Sequence, residues 1–318
     1  MTLAINDLVV TINGVAVVRG LSFGVARGET LGIVGESGSG KSMTALAVMG
    51  LLPTAARASG SIALAGEELV GAPERRLCAL RGDRMAMVFQ EPMTALNPVH
   101  RVGDQVAESV MLHRNLGRRA ARARAAELFA RVGIDRPQAR LESYPHELSG
   151  GQRQRVVIAL ALACEPDLVI ADEPTSALDV TVQAQIIELL GALADETGMA
   201  LILISHDLGV VGQLATRVVV MYAGAVAEEG PTAEVFRRRT HPYTDGLFEA
   251  LPHRGGGRRL RAIPGTVPAP EALPPGCPFF GRCPRGQDVC RDQPPPWAVP
   301  APAPKGVHRA RCFFPMTS

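Results

Sequence analysis

"TLGIVGESGSGKSMTALAVMGLL" (residues 30–52) holds three elements in a fixed order. A short, apolar, β-branched run reads as a strand, the glycine-rich segment 35–42 reads as a loop, and the apolar positions after it recur at helical spacing until Pro53, where the helix is expected to stop. That order turns the spacing GxxxxGK[ST] into a phosphate cradle. Gly35, Gly38 and Gly40, with Ser37 and Ser39 between them, let the backbone turn successive N–H groups inward toward an anion, at the positive end of the following helix. Lys41 is expected to reach the β- and γ-phosphate oxygens of a nucleoside triphosphate, and Ser42 to offer its hydroxyl to magnesium.

A magnesium site also needs a carboxylate. In "LVIADEP" (residues 168–174) Asp172 closes an apolar strand and is expected to hold the ion's water shell, while Glu173 follows as a general base for an attacking water. In "ILISHDL" (residues 202–208) His206 lies just past another strand, at the same sheet edge as Asp172 if the strands are parallel. In "YPHELSGGQRQRV" (residues 144–156) Ser149, Gly150 and Gly151 form a second phosphate-binding start to a helix.

The strand-like runs "LAINDLVVTI", "LSFGV", "DLVIAD", "ALILIS" and "RVVVMYAGAV" are punctuated by turn signals such as "NG" and by helical patterns such as "TVQAQIIELLGALADETG". Between residues 91 and 164 the pattern is helical. The expectation is an α/β core with a mostly parallel sheet, interrupted by a helical insertion. The arginines of "RRAARARAAELFARVG" (residues 118–133) alternate with alanines, as on a solvated helix face rather than a nucleic-acid patch. With 33 basic and 31 acidic residues among 318, the net charge of +2 implies no general attraction to nucleic acid or membranes.

No apolar run approaches the roughly 18 residues of a spanning helix, and the N-terminus lacks a secretory signal, so the expected place is the cytoplasm. After about Pro264 the composition changes: 14 of the 25 prolines fall between there and Pro315, and regular structure becomes unlikely. Cys277, Cys283, Cys290 and Cys312 sit in this tail, with five, six and twenty-one residues between successive cysteines. Four thiolates could hold a [4Fe-4S] cluster or Zn2+, or remain free thiols. His308 reads as a surface residue rather than a ligand.

Together these segments resemble the ATP-binding cassette (ABC) family: the phosphate loop, "VFQEP" with Gln90, "LSGGQ" with Ser149, Gly150, Gly151 and Gln152, "LVIADEP", "SALD" with Asp179, and His206, in order over about residues 3–234. The resemblance implies an α/β, P-loop (RecA-like) nucleotide-binding domain with an antiparallel β subdomain over residues 1–235, its helical subdomain at about 91–165, and an irregular Cys/Pro-rich extension at 236–318. It implies ATP and Mg2+ as ligands and two cassettes paired head to tail. The loop of one chain would then share ATP with Ser149 and Gly151 of the other, Glu173 would polarise water, His206 would hold the γ-phosphate, and Gln90 would contact magnesium and link the nucleotide to membrane subunits. Ile12 stands where the family usually places an aromatic residue against adenine, which implies weaker or less selective adenine binding.

"EPMTALNPV", "LACEPDLVIADEPTSALDVTVQAQI", "HPYT" (residues 241–244) and "IPGTVP" (residues 263–268) are similar to the ATPase subunits of bacterial peptide importers, which also include carriers of nickel, glutathione and some oligosaccharides. That resemblance implies a peripheral protein on the cytoplasmic face of the inner membrane, working with two permease subunits and an extracytoplasmic solute-binding protein. A paralogous ATPase is the implied partner, ahead of a homodimer, with the helical insertion, Tyr144 and Glu147 touching the permeases. An iron–sulfur cluster is favoured over zinc in the tail, because related importers carry a similar one. The alternative function is a soluble cassette ATPase acting on ribosomes or nucleic acid; such chains generally carry two cassettes or long coiled coils, and this sequence has neither.

Overall fold

The computed structural model describes residues 1–89, 95–176, 178–251, 262–300 and 308–316. Strands β1 (Leu3–Ile12) and β2 (Val15–Val25) are joined by Asn13 and Gly14, whose φ values of 50° and 84° are the paired positive angles of a tight two-residue hairpin turn. Strand β3 (Thr30–Val34) is buried throughout and runs into the glycine loop and helix α1 (Lys41–Met49). That helix ends short of Pro53. Gly50 adopts a left-handed φ of 63°, and Leu51 N–H returns to the Leu46 carbonyl, so glycine, not proline, terminates it.

The chain continues through β4 (Ala56–Leu64), β5 (Glu67–Glu68), α2 (Glu74–Leu80), β6 (Met85–Val88), α3 (Val102–Arg114), α4 (Arg118–Arg131), α5 (Pro137–Arg140) and α6 (Gly150–Ala161). Next come β7 (Leu168–Asp172), α7 (Val180–Thr197), β8 (Ala200–Ser205), α8 (Leu208–Leu214), β9 (Arg217–Tyr222) and β10 (Ala225–Pro231). The last elements are α9 (Thr232–Arg238), α10 (Pro242–Glu249), α11 (Asp288–Asp292), β11 (Trp297–Ala298) and β12 (Arg309–Arg311). A four-stranded sheet has the order β2-β1-β4-β5.

The chain divides into two compact units. The first comprises Met1–Ala4, Gly24–Thr30 and Ala63–Ile204. Its strands β6, β7 and β8 are parallel with β7 central, Met85 opposite Leu168 and Asp172 opposite Ile204. Every residue of β7 and β8 is buried, as a parallel sheet covered on both faces requires. The expected helical stretch is present as α3 to α6. Helix α4 buries Ala121, Ala125, Ala126, Leu128 and Phe129, and its Arg122, Arg124 and Arg131 pair with Asp104 and Glu142, Glu165, and Glu196 respectively. This is the solvated, ion-paired helix face that the alternation of arginine and alanine anticipates.

The second unit comprises Ile5–Phe23, Leu31–Ile62 and the described part of Ser205–Ser318. Here β3 pairs in parallel with β9, and β9, β10, β12 and β11 follow in antiparallel order. The sequence run "RVVVMYAGAV" is therefore two strands rather than one. Ala223 and Gly224, with φ of 45° and 81°, fold it back on itself. The proline-rich tail is mostly irregular among the described residues, yet Arg309 and Ala310 pair with Glu229 and Glu228, because β10 offers an edge of backbone N–H and C=O groups that β12 satisfies.

Candidate nucleotide-binding site

The glycine loop lies in the second unit, between β3 and α1. Gly38 and Gly40 take φ of 79° and 94°, conformations that L side chains rarely adopt. At Gly35 the constraint is space: a β-carbon there would stand 2.2 Å from the Met221 carbonyl oxygen and 2.7 Å from Ser39 Oγ. Lys41 is buried, and its Nζ donates to the carbonyls of Gly35 (2.7 Å) and Glu36 (3.0 Å) and lies 3.4 Å from Ser39 Oγ. The ammonium thus sits inside the loop, where a phosphate oxygen can replace carbonyl oxygens as its partner. Ser37, Gly38 and Ser42 are on the solvent side, the side from which a ligand arrives. Thr44 Oγ1 donates to the Gly40 carbonyl (2.9 Å) and Gly224 N–H to the Ser39 carbonyl (3.0 Å), fixing the loop's far end. His206, in the same unit, is exposed just beyond β8, and the next residue, Asp207, caps α8 by accepting from Gly209 N–H (2.7 Å).

The first unit holds the other expected residues. Asp172 is buried as the last residue of β7. Glu173 follows with a left-handed φ of 47°, stabilised by its N–H donating to the Ile204 carbonyl (2.9 Å). A non-glycine residue so placed is strained by about 1 kcal/mol, the kind of local cost found where a side chain must be aimed. Ser149 caps α6: its Oγ accepts from Gln152 N–H (3.3 Å), and Gln152 Oε1 accepts from Ser149 N–H (3.1 Å). Asp179 caps α7, accepting from Thr181 and Val182 N–H. A β-carbon at Gly151 would come within 2.8 Å of Val182 Cγ1, so the "LSGGQ" turn and the start of α7 are in contact. Ile12 ends β1, half-buried. Gln90 lies outside the described residues, as do Glu91 and Ala177 of the motifs that flank it and Asp179.

Two residues with no role in the motif reading also hold the loop. Glu36 N–H donates to Tyr243 Oη (2.8 Å), and the Glu36 carboxylate takes two bonds from Arg282, Nη1 to Oε2 at 2.7 Å and Nη2 to Oε1 at 2.9 Å. Burial pushes the Tyr243 phenol far above its ordinary range, and the Glu36 hydrogen bond raises Arg282 further still. Tyr243 belongs to "HPYT", a sequence signal visible only as a family signature; Arg282, one arginine in an irregular tail, carried none.

Cys277, Cys283, Cys290 and Cys312 all line one small pocket with Phe279, Phe280, Phe313 and Phe314. Burial raises the Cys277 thiol to about 11, and Cys283 and Cys312 are raised for the same reason. Among the described residues no group of three or more His, Cys, Asp or Glu stands close enough to hold a metal ion. A single tetrahedral zinc, with Zn–S near 2.3 Å, needs all four sulfurs within about 4 Å of one another. Among the described residues the arrangement present supports neither a zinc site nor a cluster. His308 corrects its surface reading. It is fully buried, its Nε2 lies 2.7 Å from Glu228 Oε1, and the same carboxylate accepts from the N–H groups of Thr240 and His241.

Residues 18–176 match the family model described as ABC transporter. The chain belongs to the ABC transporter family. Residues 227–290 match the oligopeptide/dipeptide transporter C-terminal region. Over 298 residues, covering 92% of this chain and 89% of the relative, it is 49% identical to the oligopeptide transport ATP-binding protein OppD of Salmonella typhimurium. It is 49% identical to the dipeptide transport ATP-binding protein DppD of Bacillus subtilis over 87% of this chain and 83% of that one. The OppD of Mycobacterium tuberculosis is 51% identical over 91% of this chain, which spans about half (48%) of that protein's length. Among solved structures, a dimeric ATP-binding cassette in a post-hydrolysis state with ADP and phosphate aligns at TM-score 0.64 and 26% identity, over 72% of this chain and 98% of that one. The cbiO1 cassette of Clostridium perfringens aligns at TM-score 0.65 and 29% identity, over 75% and 91%. The α/β P-loop ABC fold anticipated from the motifs is therefore the fold of this chain, and its relatives are ATP-binding subunits of peptide transporters.

Proposed function

We propose that this chain is the ATP-hydrolysing subunit of a membrane importer for dipeptides or oligopeptides, coupling ATP binding and hydrolysis to solute uptake through separate permease subunits. The observation that carries this reading is the Lys41 ammonium held inside the glycine loop by the Gly35 and Glu36 carbonyls, in an ABC-family chain. Gly35, Ser37, Gly38, Ser39, Gly40 and Lys41 cradle the triphosphate. Ser42 and Asp172, with Gln90, serve the magnesium that arrives with ATP. Glu173 draws a proton from the attacking water and His206 holds the γ-phosphate. Ser149, Gly150, Gly151 and Gln152 close over the ATP of a second cassette, supported by Asp179, and a paralogous chain is the preferred partner. The cassette spans residues 1–235, with its helical subdomain at about 91–165, and the extension spans 236–318.

Among the described residues no helix is long and apolar enough to cross a membrane, so this reading places the chain peripherally, on the cytoplasmic face, against two permeases served by a solute-binding protein. Val99, Met111, Leu112 and Leu116 expose apolar side chains around α3, which supports that stretch as the permease-facing surface. In the extension the four cysteines would hold a [4Fe-4S] cluster, with Zn2+ as the second choice.

The test is to tag the chain, solubilise membranes gently with ATP present and identify what co-purifies by mass spectrometry. Two permeases, a second cassette ATPase and a solute-binding protein are expected. Recovery only from the soluble fraction with ribosomal or DNA-bound partners would instead support the cytosolic alternative.

A further inference from the structure

Glu36 is the only acidic residue in the glycine loop, and nothing in the chemistry of phosphate binding calls for it. A carboxylate beside an anion cradle repels the ligand that the cradle serves. Here that charge is cancelled by Arg282, 246 positions along the chain, through a two-pronged contact at 2.7 and 2.9 Å. The Arg282 side chain is only 6% exposed. Its other N–H groups donate to the carbonyls of Pro264 (2.8 Å) and Gly265 (3.3 Å) and to Tyr222 Oη (3.3 Å), and the guanidinium lies over the rings of Tyr222 and Phe279. An arginine tied to two carbonyls, a phenol and two rings is a fixed post, and its planar fork sets both the distance and the angle of Glu36. The remaining groups of Glu36 are fixed as well: its N–H by Tyr243 Oη and its carbonyl by Lys41 Nζ.

The post stands on the cysteine segment. Arg282 ends a single helical turn, Phe280–Arg282, immediately before Cys283. Phe280 N–H donates to the Cys277 carbonyl (3.0 Å), Cys277 N–H to the Cys290 carbonyl (2.6 Å) and Cys283 N–H to the Phe280 carbonyl (3.2 Å). Backbone bonds from three of the four cysteines thus frame the turn that carries the guanidinium. The turn that carries Arg282 and these three cysteines form one hydrogen-bonded frame, tied through the guanidinium to Glu36.

We propose that Arg282 is a positioning residue for the phosphate loop: by pairing with Glu36 it cancels the loop's one negative charge, sets ATP affinity, and couples that affinity to the conformation of the cysteine segment 277–290. This rests on the reading that the loop binds ATP. Coupling between two sites is reciprocal, so ATP that orders the loop must also order the cysteine segment.

The experiment compares full-length wild type with Arg282→Gln, Glu36→Gln and the double variant. It measures ATP Kd and the ATPase KM and kcat, and follows amide hydrogen exchange with and without MgATP. Arg282→Gln, which leaves the Glu36 carboxylate uncancelled beside the cradle, is expected to raise Kd and KM about tenfold, within the usual range of coupling between sites, and to raise KM more than it alters kcat, whereas Glu36→Gln removes the repelling charge and should raise neither. The double variant, with no unpaired charge left, should recover much of that loss. In wild type MgATP should slow exchange at residues 35–42 and also at 277–290. In Arg282→Gln at saturating ATP it should slow exchange at 35–42 alone. Should Arg282→Gln fail to fold, Glu36→Gln carries the hydrogen-exchange comparison from the less buried end of the pair, because it too weakens the link to the cysteine segment. Unchanged KM in Arg282→Gln, with no ATP-dependent protection of 277–290 in wild type, overturns the role of Arg282 while the ATP site stands. Absence of ATP protection at 35–42 in wild type overturns the nucleotide reading itself, and this proposal with it.

Discussion

The glycines of the phosphate loop are alike in the sequence and different in the structure. Gly38 meets nothing within 4 Å of a β-carbon and is needed for its φ alone, whereas Gly35 is needed because Met221 and Ser39 leave no room. Spacing identifies such positions because the motif is local; which constraint acts at each depends on β9, nearly two hundred residues away. Glu173 shows the same limit. The Asp-Glu pair after an apolar run was legible, but the left-handed backbone at Glu173, held by the Ile204 carbonyl, was not. Replacing Glu173 with glutamine keeps that backbone and side-chain size and removes the basic carboxylate. Under the proposed mechanism ATP binding and pairing of cassettes persist while turnover falls about 10²- to 10⁴-fold. Steady-state phosphate release alongside ATP titration checks this, and normal hydrolysis would remove Glu173 from the role of base.

Among the elements, α10 carries a pH-sensitive start. His241 is its N-cap, and its Nδ1 accepts from Tyr243 N–H (3.0 Å), which requires an unprotonated ring nitrogen. Burial lowers the His241 pKa from 6.5 to about 4, against an opposing pull from the nearby Glu228 carboxylate, which also faces His308. The unfolded chain therefore binds a proton that the folded chain refuses between about pH 6.5 and 4, so stability rises with pH across that window and is level above it. This group alone should cost about 2 kcal/mol between pH 7 and pH 5. His241→Asn retains a capping acceptor that does not titrate, and denaturant unfolding at both pH values should show a smaller pH-dependent loss than in wild type. An equal loss in both proteins would place the sensitivity elsewhere. Where elements end was only partly legible. Pro53 was the obvious stop for α1, yet Gly50 intervened first, and one apolar run concealed two strands because Ala223 and Gly224 look unremarkable beside "RVVVMY".

At the scale of the molecule the extension is the part least accessible to pattern reading. Its prolines argue against regular structure, but β12 finds an edge on β10, and His308 reaches Glu228 behind it. The four cysteines converge on one apolar pocket, and among the described residues no group of three or more His, Cys, Asp or Glu stands close enough to hold a metal ion. If the cluster proposal holds, protein purified without oxygen contains close to four iron and four labile sulfide per chain and has broad visible absorption. Colourless, iron-free protein would leave free thiols there, in keeping with the burial that raises Cys277, Cys283 and Cys312. Zinc alone, at one per chain, would favour the second choice.

The sequence by itself determined what is local: a strand, a loop and a helix around Lys41, a capped helix at Ser149, and a carboxylate pair closing an apolar strand. Each depends on neighbours within a few residues, so spacing and side-chain chemistry suffice. Only the tertiary structure decided which distant groups hold those pieces in place. That Arg282 would meet Glu36, that His308 would be buried on Glu228, and that Gly35 would face the Met221 carbonyl depends on contacts across tens to hundreds of residues, which no local pattern encodes.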